Sequence, residues 1–278
     1  MPGLRDKINQ LPSIPEIVRE FELNAKKSLG QNFLFSDDIT GNIVRYAGDL
    51  AESLVIEIGP GPGGLTRSIL RAEPKKLVAV EKDHRCLAAL KQLQDVVGDE
   101  RFEVVAADAL KLSLAEIGAG ESMKIIANLP YNIATPLLIG WLRQLQYVES
   151  MTLMFQKEVA QRIAASPGNK SFGRLSILSQ WLCDCVKVMD IPPGAFSPPP
   201  KVTSSVVHFR PKHQHVDSEL FSKIEQLTAC AFGQRRKKIR SSLKNICDEQ
   251  MLQAAGIDPN LRAENLTVEQ FVALAGQL

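Results

Sequence analysis

The segment at residues 54–64, LVIEIGPGPGG, constrains the fold more than any other stretch of the chain. An apolar run typical of a buried strand leads directly into four glycines and two prolines, and a helical pattern follows from Gly63 to Ala72. Glycines allow the backbone to turn sharply and to approach a ligand at the N-terminus of a helix. The order of strand, glycine loop and helix therefore predicts an α/β fold with a ligand at one edge of its sheet.

Three further apolar runs, KLVAVE, FEVVAA and MKIIAN, alternate with helical patterns at 84–97 and from Thr135, with Pro136 in the first helical position. Short apolar runs of this kind are typical of parallel strands covered by helices on both faces. MTLMFQ at 151–156 and VTSSVVHF at 202–209 predict two more strands. We therefore predict an α/β sheet that is mostly parallel and has one antiparallel strand.

At both ends of the chain, helical patterns occur without the alternating apolar runs that predict strands. Residues 13–23 place apolar side chains on one helical face, and Ser13 and Glu16 have the spacing of a capping box. After Pro211 only helical patterns remain, at 217–232, at 234–247 and after Thr267. We expect an N-terminal arm with a short helix at 1–24, an α/β domain at 25–211 and a small all-helical domain at 212–278.

Composition excludes several classes of protein. The chain has 278 residues, 45% of them hydrophobic and 23% charged, as is typical of globular proteins. Its five cysteines lack the spacing of zinc ligands, so we expect reduced thiols and no metal site. Neither a signal sequence nor a long apolar span is evident, which predicts a cytoplasmic protein.

The glycine loop alone does not identify its ligand. Gly59, Gly61 and Gly64 fit the pattern GxGxxG, and Glu81 follows 20 residues after Gly61, where dinucleotide-binding folds hold a ribose. A nicotinamide-dependent dehydrogenase is therefore one hypothesis.

Three features favour a cationic nucleoside instead. A carboxylate at Glu57 would repel a pyrophosphate, and Pro60 and Pro62 lack the amide donors that a phosphate needs. Asp108 ends the strand FEVVAAD, where it can accept a hydrogen bond from an adenine amino group. S-adenosylmethionine fits these acidic groups better than an anionic dinucleotide.

The motifs in combination resemble those of methyltransferases that use S-adenosylmethionine to modify exocyclic amines. More narrowly, the chain is similar to the ribosomal RNA adenine dimethyltransferases, over about residues 24–275. The motifs that carry this resemblance are GQNFL at 30–34, EIGPG at 57–61, NLPY at 128–131, FQKEV at 155–159, FSPPPKV at 196–202 and QRRK at 234–237. Leu29 departs from the family, in which an aromatic residue precedes Gly-Gln-Asn.

The resemblance implies a Rossmann-like methyltransferase fold and an activity. Bacterial small-subunit enzymes of this family convert two adjacent adenosines, in the 3′-terminal hairpin loop of 16S ribosomal RNA, to N6,N6-dimethyladenosine. They act in ribosome biogenesis, with the assembling 30S subunit as partner. For the cofactor, the resemblance implies that Asn32 and Leu34 cover it, Gly59 and Gly61 approach it, Glu81 holds the ribose, Asp108 holds the adenine and Asn128 lies at the reacting end.

The NLPY turn suits the chemistry of an exocyclic amine, whose lone pair is delocalised into the ring. The side-chain carbonyl of Asn128 and the backbone carbonyl of Leu129 can each accept one N6 hydrogen, and Pro130 makes the turn rigid. Tyr131 offers a flat face to a base that has left its stack, a contact worth about 1 to 3 kcal/mol. We expect Phe196, in the proline-rich loop, to close the other side of the base.

Residues 234–244, QRRKKIRSSLK, carry six positive charges and no acid. As a helix, this segment would present a basic stripe to RNA phosphates and bury Ile239, Leu243 and Ile246. The alternative is a solvated helix face. The expected RNA contacts are Arg235, Arg236, Lys237, Lys238, Arg240, Lys244 and Lys201, with Lys26 and Lys27 extending the track.

Two further hypotheses concern other functions for the same fold. The large-subunit adenine methyltransferases of macrolide resistance share NLPY-like chemistry. A non-catalytic RNA-binding assembly factor that retains the pocket belongs to a different functional class.

Overall fold

The computed structural model describes residues 3–25, 30–212 and 215–278. Within these ranges, a seven-stranded sheet has the order β4-β3-β2-β5-β6-β9-β7. Its strands are β2 (Leu54–Ile58), β3 (Lys76–Glu81), β4 (Phe102–Ala106), β5 (Met123–Asn128), β6 (Val148–Gln156), β7 (Cys183–Ile191) and β9 (Ser204–Pro211). Strand β9 runs antiparallel to both β6 and β7, whereas the other pairings are parallel. The predicted mostly parallel sheet with one antiparallel strand is confirmed.

A two-stranded sheet lies beside the large one and pairs β1 (Phe33–Leu34) with β8 (Phe196–Ser197). It joins the 30–34 loop to the proline-rich loop, since Leu34 is opposite Phe196 in the antiparallel register.

Helices cover both faces of the large sheet. On β2, Val55 belongs to one buried apolar cluster and Ile56 to the other, and Ile126 and Ile125 divide in the same way on β5. This alternation explains why the strands are apolar along their whole length. The helices before the last strand are α1 (Leu4–Asn9), α2 (Ile14–Glu20), α3 (Asp37–Tyr46), α4 (Gly64–Arg71), α5 (His84–Val97), α6 (Leu114–Ile117), α7 (Tyr131–Leu142), α8 (Lys157–Ile163) and α9 (Arg174–Leu182).

The N-terminal arm is fixed to the body by α2 and its capping box. The carboxylate of Glu16 accepts hydrogen bonds from the backbone N–H and the hydroxyl of Ser13, both at 2.7 Å, which confirms the predicted helix start. Ile17 is buried, and the Arg67 guanidinium of α4 donates to the Pro12 carbonyl at 2.6 Å. Helix α1, which was not predicted, buries Ile8.

The helix after the NLPY turn begins earlier than predicted. It starts at Tyr131 rather than at Thr135, and Pro136 lies inside it. The carbonyl of Pro130 accepts from the N–H groups of Ile133 and Ala134, both at 3.1 Å, so the first helical turn is already complete when the chain reaches Pro136. Packing of the apolar face of α7 overrides the usual preference of the residue before proline for extended backbone.

The C-terminal segment is helical, as predicted, in α10 (Ser218–Gly233), α11 (Ile239–Ser242), α12 (Glu249–Ala254) and α13 (Val268–Ala275). The continuous helix expected at 234–247 is wrong, because residues 234–238 form a turn and α11 has only four residues. The N–H of Ile239 donates to the carbonyl of Leu261 at 2.7 Å, so this backbone is used for tertiary contact. Ile239 and Leu243 are buried as expected, whereas Ile246 is half-buried.

The C-terminal helices share one apolar cluster with a face of the sheet. Phe221 and Leu227 of α10 belong to the same buried cluster as Ile125 of β5. The chain changes from strands to helices near residue 212, and the boundary of an independent domain there stays a prediction.

Candidate active site

A cavity opens at the carboxyl ends of β2, β3 and β5. Its walls come from the 30–34 loop, the glycine loop, the turn after β3, residues 107–110 and the NLPY turn. The structure brings together all seven residues predicted to bind a cofactor, namely Asn32, Leu34, Gly59, Gly61, Glu81, Asp108 and Asn128.

The glycine loop requires glycine at two of these positions. Gly59 and Gly61 have φ angles of 69° and 56°, in the left-handed region that favours glycine. A Cβ at Gly61 would lie 3.0 Å from the ring of Phe33, so the 30–34 loop packs directly on the glycine loop.

Glu81 connects the glycine loop to the end of β3. One carboxylate oxygen accepts from the N–H of Gly61 at 3.0 Å and the other from the N–H of Asp83 at 2.7 Å. Burial raises the pKa of Glu81, and these two hydrogen bonds lower it in part. Each carboxylate oxygen can accept a second hydrogen bond, so the group can also receive a ribose hydroxyl.

Glu57 lies deeper in the wall of the cavity and is 1% exposed. Its Oε2 atom has no hydrogen-bond partner among the residues that the structure describes. The pKa of Glu57 is raised to about 8, mainly by burial; the Thr66 hydroxyl lowers it and the neighbouring Glu81 raises it, and both of these effects are smaller. Burial therefore favours the uncharged form of this group in the protein without ligand, which weakens the expected repulsion of a pyrophosphate by Glu57.

Asp108, in contrast, is held as an ionised acceptor. The Lys82 ammonium lies 2.8 Å from Oδ2, and the N–H of Leu110 donates to Oδ1 at 3.1 Å. The ion pair with Lys82 and the bond from Leu110 keep the pKa of Asp108 below its usual range.

Asp83 was not predicted, although it shapes the rim of the cavity. Its Oδ2 atom accepts from the side-chain amide of Gln31 at 2.9 Å and from Arg85 at 2.6 Å, and Arg85 also donates to the carbonyl of Asn24 at 2.9 Å. The bond from Arg85 lowers the pKa of Asp83 to about 2. Asp83 also caps α5, and an acid before a helix was the sequence signal that could have identified it.

The NLPY turn presents an oriented amide to the cavity. The side-chain N–H₂ of Asn128 donates to the carbonyl of Asn32 at 3.1 Å, which assigns the nitrogen and leaves Oδ1 without a donor in the described ranges. Leu129 is buried. The hydroxyl of Tyr131 lies 2.6 Å from the hydroxyl of Ser204, a residue that sequence reasoning did not connect with the site.

Phe196 does not lie where it was expected. Its side chain is 4% exposed, belongs to a buried apolar cluster with Leu34 and Val206, and is absent from the cavity wall among the described residues. In this structure Phe196 therefore presents no face to a base, because β8 is paired with β1 and holds the residue inward.

The basic segment divides into two groups. Arg235 donates to the carbonyls of Lys170 and Phe172 at 2.7 and 3.1 Å, Lys238 donates to the side chain of Asn260 at 2.9 Å, and Arg240 lies 3.3 Å from Glu249. These three cations are used within the protein.

The cations that remain available for RNA are Arg236, Lys237, Lys244 and, in the proline-rich loop, Lys201. All four are exposed, and none has a side-chain partner in the part of the chain that the structure describes. Lys237 and Lys244 line a second cleft on the C-terminal helices. Lys26, Lys27 and Leu29 lie outside the described residues.

No helix in the described ranges is long and apolar enough to cross a membrane. Among the same residues, no group of three or more His, Cys, Asp and Glu side chains has the geometry of a metal site.

Comparisons with known proteins agree with this geometry. The sequence profile of the family described as ribosomal RNA adenine dimethylase matches residues 22–278. A relative from Rhodospirillum rubrum named ribosomal RNA small subunit methyltransferase A is 49% identical, over 95% of this chain and 92% of that protein. The protein of the same name from Agrobacterium fabrum is 50% identical, over 98% of this chain and 99% of its own length.

Solved structures show the same fold. A dimethyladenosine transferase from Plasmodium falciparum has a TM-score of 0.74 and 26% identity, covering 87% of this chain and 95% of that one. The 23S rRNA methyltransferase ErmE has a TM-score of 0.67 and 24% identity, with coverage of 89% and 99%, and supports the fold alone. The profile match spans nearly the whole chain, and the chain belongs to the ribosomal RNA adenine dimethylase family.

Proposed function

We propose that this chain uses S-adenosylmethionine to dimethylate N6 of two adjacent adenosines, in the 3′-terminal hairpin loop of small-subunit ribosomal RNA within the assembling 30S subunit. The observation that carries the proposal is the oriented Asn128 amide, which lines the cavity beside the glycine loop and whose Oδ1 accepts from no donor among the described residues. The names of the relatives support the choice of the small subunit.

The residues of the cavity fit S-adenosylmethionine. The buried Oε2 of Glu57 lacks a hydrogen-bond partner among the described residues, and a cation nearby would stabilise its ionised form. Glu81 would hold the ribose, Asp108 would accept from the adenine amino group, and Leu34 would cover the ligand. When bound, S-adenosylmethionine supplies a methyl carbon on a positively charged sulfur.

The protein's own contribution is alignment of the amine. Asn128 Oδ1 and the backbone oxygen of Leu129 accept the two N6 hydrogens, which draws the lone pair out of conjugation and aims it at the methyl carbon. The amine becomes acidic only as it is alkylated, so a strong base is unnecessary. Tyr131 supports the base by stacking, and its phenol stays protonated because burial raises its pKa.

Phe196 would have to turn out of its apolar cluster to close the other face of the base. This role rests on the family resemblance and needs a movement of the proline-rich loop. If a Phe196→Ala variant had the same turnover as the wild type, this role for Phe196 would be wrong.

RNA would be held by the exposed cations on the same chain. Arg236, Lys237, Lys244 and Lys201 are unpaired within the described residues and can each neutralise a phosphate. Lys201 lies five residues after Phe196, so phosphate contacts would extend from the helical end of the chain toward the proline-rich loop.

The experiment combines the purified protein with labelled S-adenosylmethionine and small subunits that lack the modification. Mass spectrometry should map two dimethyladenosines in the 3′-terminal hairpin, and Asn128→Ala should abolish the label. Label only on large-subunit RNA would favour the macrolide-resistance activity instead. A non-catalytic assembly factor would label nothing, and Asn128→Ala would preserve its cellular effect. Thermal stabilisation by NAD but not by S-adenosylhomocysteine would revive the dehydrogenase hypothesis.

A further inference from the structure

We propose that Ser204 is a positioning residue for methyl transfer, because its hydroxyl fixes the ring of Tyr131 on which the target base stacks. The inference rests on the proposed function, since the ring needs a fixed orientation only if a base binds at the NLPY turn. It assigns a role to a residue outside the cavity wall and outside the sequence motifs that bind the cofactor.

The contact joins two elements that are far apart in sequence. Tyr131 is the first residue of α7 and is half-buried, whereas Ser204 is the first residue of β9 and has no exposed surface. Their hydroxyl oxygens are 2.6 Å apart across 73 residues of sequence. Throughout the described ranges, neither hydroxyl has another side-chain partner, so each depends on the other.

The role of this contact is geometric rather than acid–base. Burial raises the pKa of Tyr131, and the Ser204 hydrogen bond only partly opposes that effect, so the phenol remains neutral at physiological pH. A tyrosine ring can rotate about two side-chain bonds. A hydrogen bond at the hydroxyl oxygen fixes the position of that end of the ring and so restricts rotation about Cα–Cβ. The oxygen lies on the Cβ–Cγ axis, so rotation about that bond is resisted because a phenol hydrogen bond prefers the plane of the ring. Because the ring determines the plane of the stacked base, this restriction also determines the direction of the N6 lone pair.

The backbone of Ser204 is itself well fixed. Strand β9 lies between β6 and β7, with Ser204 opposite Gln156 on one side and Ile191 on the other. A hydroxyl on such a paired strand is a firmer reference point than one on an exposed loop. The Ser204 hydroxyl therefore connects the orientation of the Tyr131 ring, which borders the cavity, to the backbone of the large sheet.

The chain offers a matched control in the next residue, Ser205. It is also fully buried, and its hydroxyl donates to Asp190 Oδ1 at the same distance of 2.6 Å. Successive side chains of a strand point to opposite faces, so Ser205 contacts Asp190 and not Tyr131. Ser205→Ala and Ser204→Ala therefore each remove one buried hydrogen bond from the same strand, but only Ser204→Ala releases the ring.

The experiment measures single-turnover methylation of unmodified small subunits by five proteins: wild type, Ser204→Ala, Tyr131→Phe, the double variant and Ser205→Ala. We expect Ser204→Ala and Tyr131→Phe each to slow transfer by about tenfold, as a small misplacement of reacting groups does. The double variant should be no slower than either single variant. Cofactor affinity should be unchanged throughout, and Ser205→Ala should transfer at the wild-type rate.

A second experiment measures the stacking of the target base by fluorescence and does not depend on methyl transfer. An RNA hairpin with 2-aminopurine at the target position should lose fluorescence on binding wild type or Ser205→Ala, because the base stacks on Tyr131. Quenching should be weaker with Ser204→Ala, even at saturating protein.

Three results would overturn the inference: Ser204→Ala as fast as wild type, Ser205→Ala as slow as Ser204→Ala, or a double variant whose defect is the product of the single defects. If Ser204→Ala fails to fold, the transfer rate of Tyr131→Phe tests the inference instead, because this variant removes the other hydroxyl group of the same hydrogen bond. If the wild type transfers no methyl group, the proposed function is contradicted. If the wild type and Ser204→Ala are equally active, only the role of Ser204 is contradicted.

Discussion

Replacement of Glu57 by glutamine tests whether a neutral carboxyl group lies behind the glycine loop. The side chain is 1% exposed, and its Oε2 atom has no partner within the described part of the chain. Glutamine has nearly the same shape and is uncharged at every pH. The difference between the two proteins therefore isolates the cost of ionising this one group.

The sign of the effect follows from the direction of the pKa shift. The pKa of Glu57 rises from an ordinary value of 4.5 to about 8. Because the folded protein holds the proton more tightly than the unfolded chain does, the stability of the wild type falls as pH increases between these two values. The charged groups that face Glu57 do not reverse this sign, since the nearest one, Glu81, is also acidic.

The magnitude follows from the same shift. One pKa unit corresponds to about 1.4 kcal/mol, so the wild type should lose about 2 kcal/mol relative to Glu57→Gln between pH 5.5 and pH 7.5. Relaxation of the cavity or entry of water would make the loss smaller but would not change its sign.

The assay is urea unfolding of the cofactor-free protein, followed by circular dichroism at pH 5.5, 6.5 and 7.5. Subtraction of the variant's unfolding free energy from that of the wild type removes the contribution of all other titrating groups. Glu100→Gln, at an exposed position, serves as the control for the same substitution outside the core. A difference for Glu57→Gln that stays constant between pH 5.5 and pH 7.5 would mean that the fold does not hold this carboxyl group in its protonated form.

Gly64→Ala should lower the melting temperature and weaken cofactor binding, because the added Cβ would lie 2.4 Å from the backbone oxygen of Leu34. Gly140→Ala, in α7 with open space around the new Cβ, should instead stabilise by about 0.5 to 1 kcal/mol; equal melting temperatures for the two variants would contradict this. Simultaneous replacement of Lys237 and Lys244 by alanine should reduce the slope of log affinity for RNA against log salt by about two, which filter binding can measure. An unchanged slope would mean that these lysines do not contact phosphates.

The parts of the fold that sequence predicted well are those in which local and tertiary preferences agree. Helix α5 occupies His84–Val97 and is followed by Gly98 with φ of 97°, because a glycine stop and an apolar face both indicate the same end. At the start of α13, Thr267 and Gln270 form the reciprocal hydrogen bonds of a capping box at 3.0 and 3.2 Å. Helix capping depends on residues that are close together in sequence, so it can be predicted from the sequence alone.

Strand β7, Cys183–Ile191, was missed because it lies at the edge of the sheet. Its sequence, CDCVKVMDI, mixes charged and apolar residues, and only its two terminal residues are fully buried. Edge strands carry charges that protect them from further pairing, and such charges obscure the apolar pattern by which buried strands are found.

The differences between the expected and observed surroundings of these site residues have a tertiary origin. Whether Arg235 is free for RNA depends on the carbonyls of Lys170 and Phe172, which are more than 60 residues away in sequence. The inward position of Phe196 depends on the pairing of β8 with β1. Motifs therefore identified the residue types that the chemistry needs, and long-range contacts decided which of them are available.

The most direct measurement is a structure of the protein with S-adenosylhomocysteine and the target RNA hairpin. We expect a flipped adenine on the Tyr131 ring, with N6 within about 3.2 Å of both Asn128 Oδ1 and the Leu129 carbonyl oxygen. An adenine held elsewhere in the cavity, with its N6 beyond hydrogen-bonding distance of Asn128, would contradict this expectation.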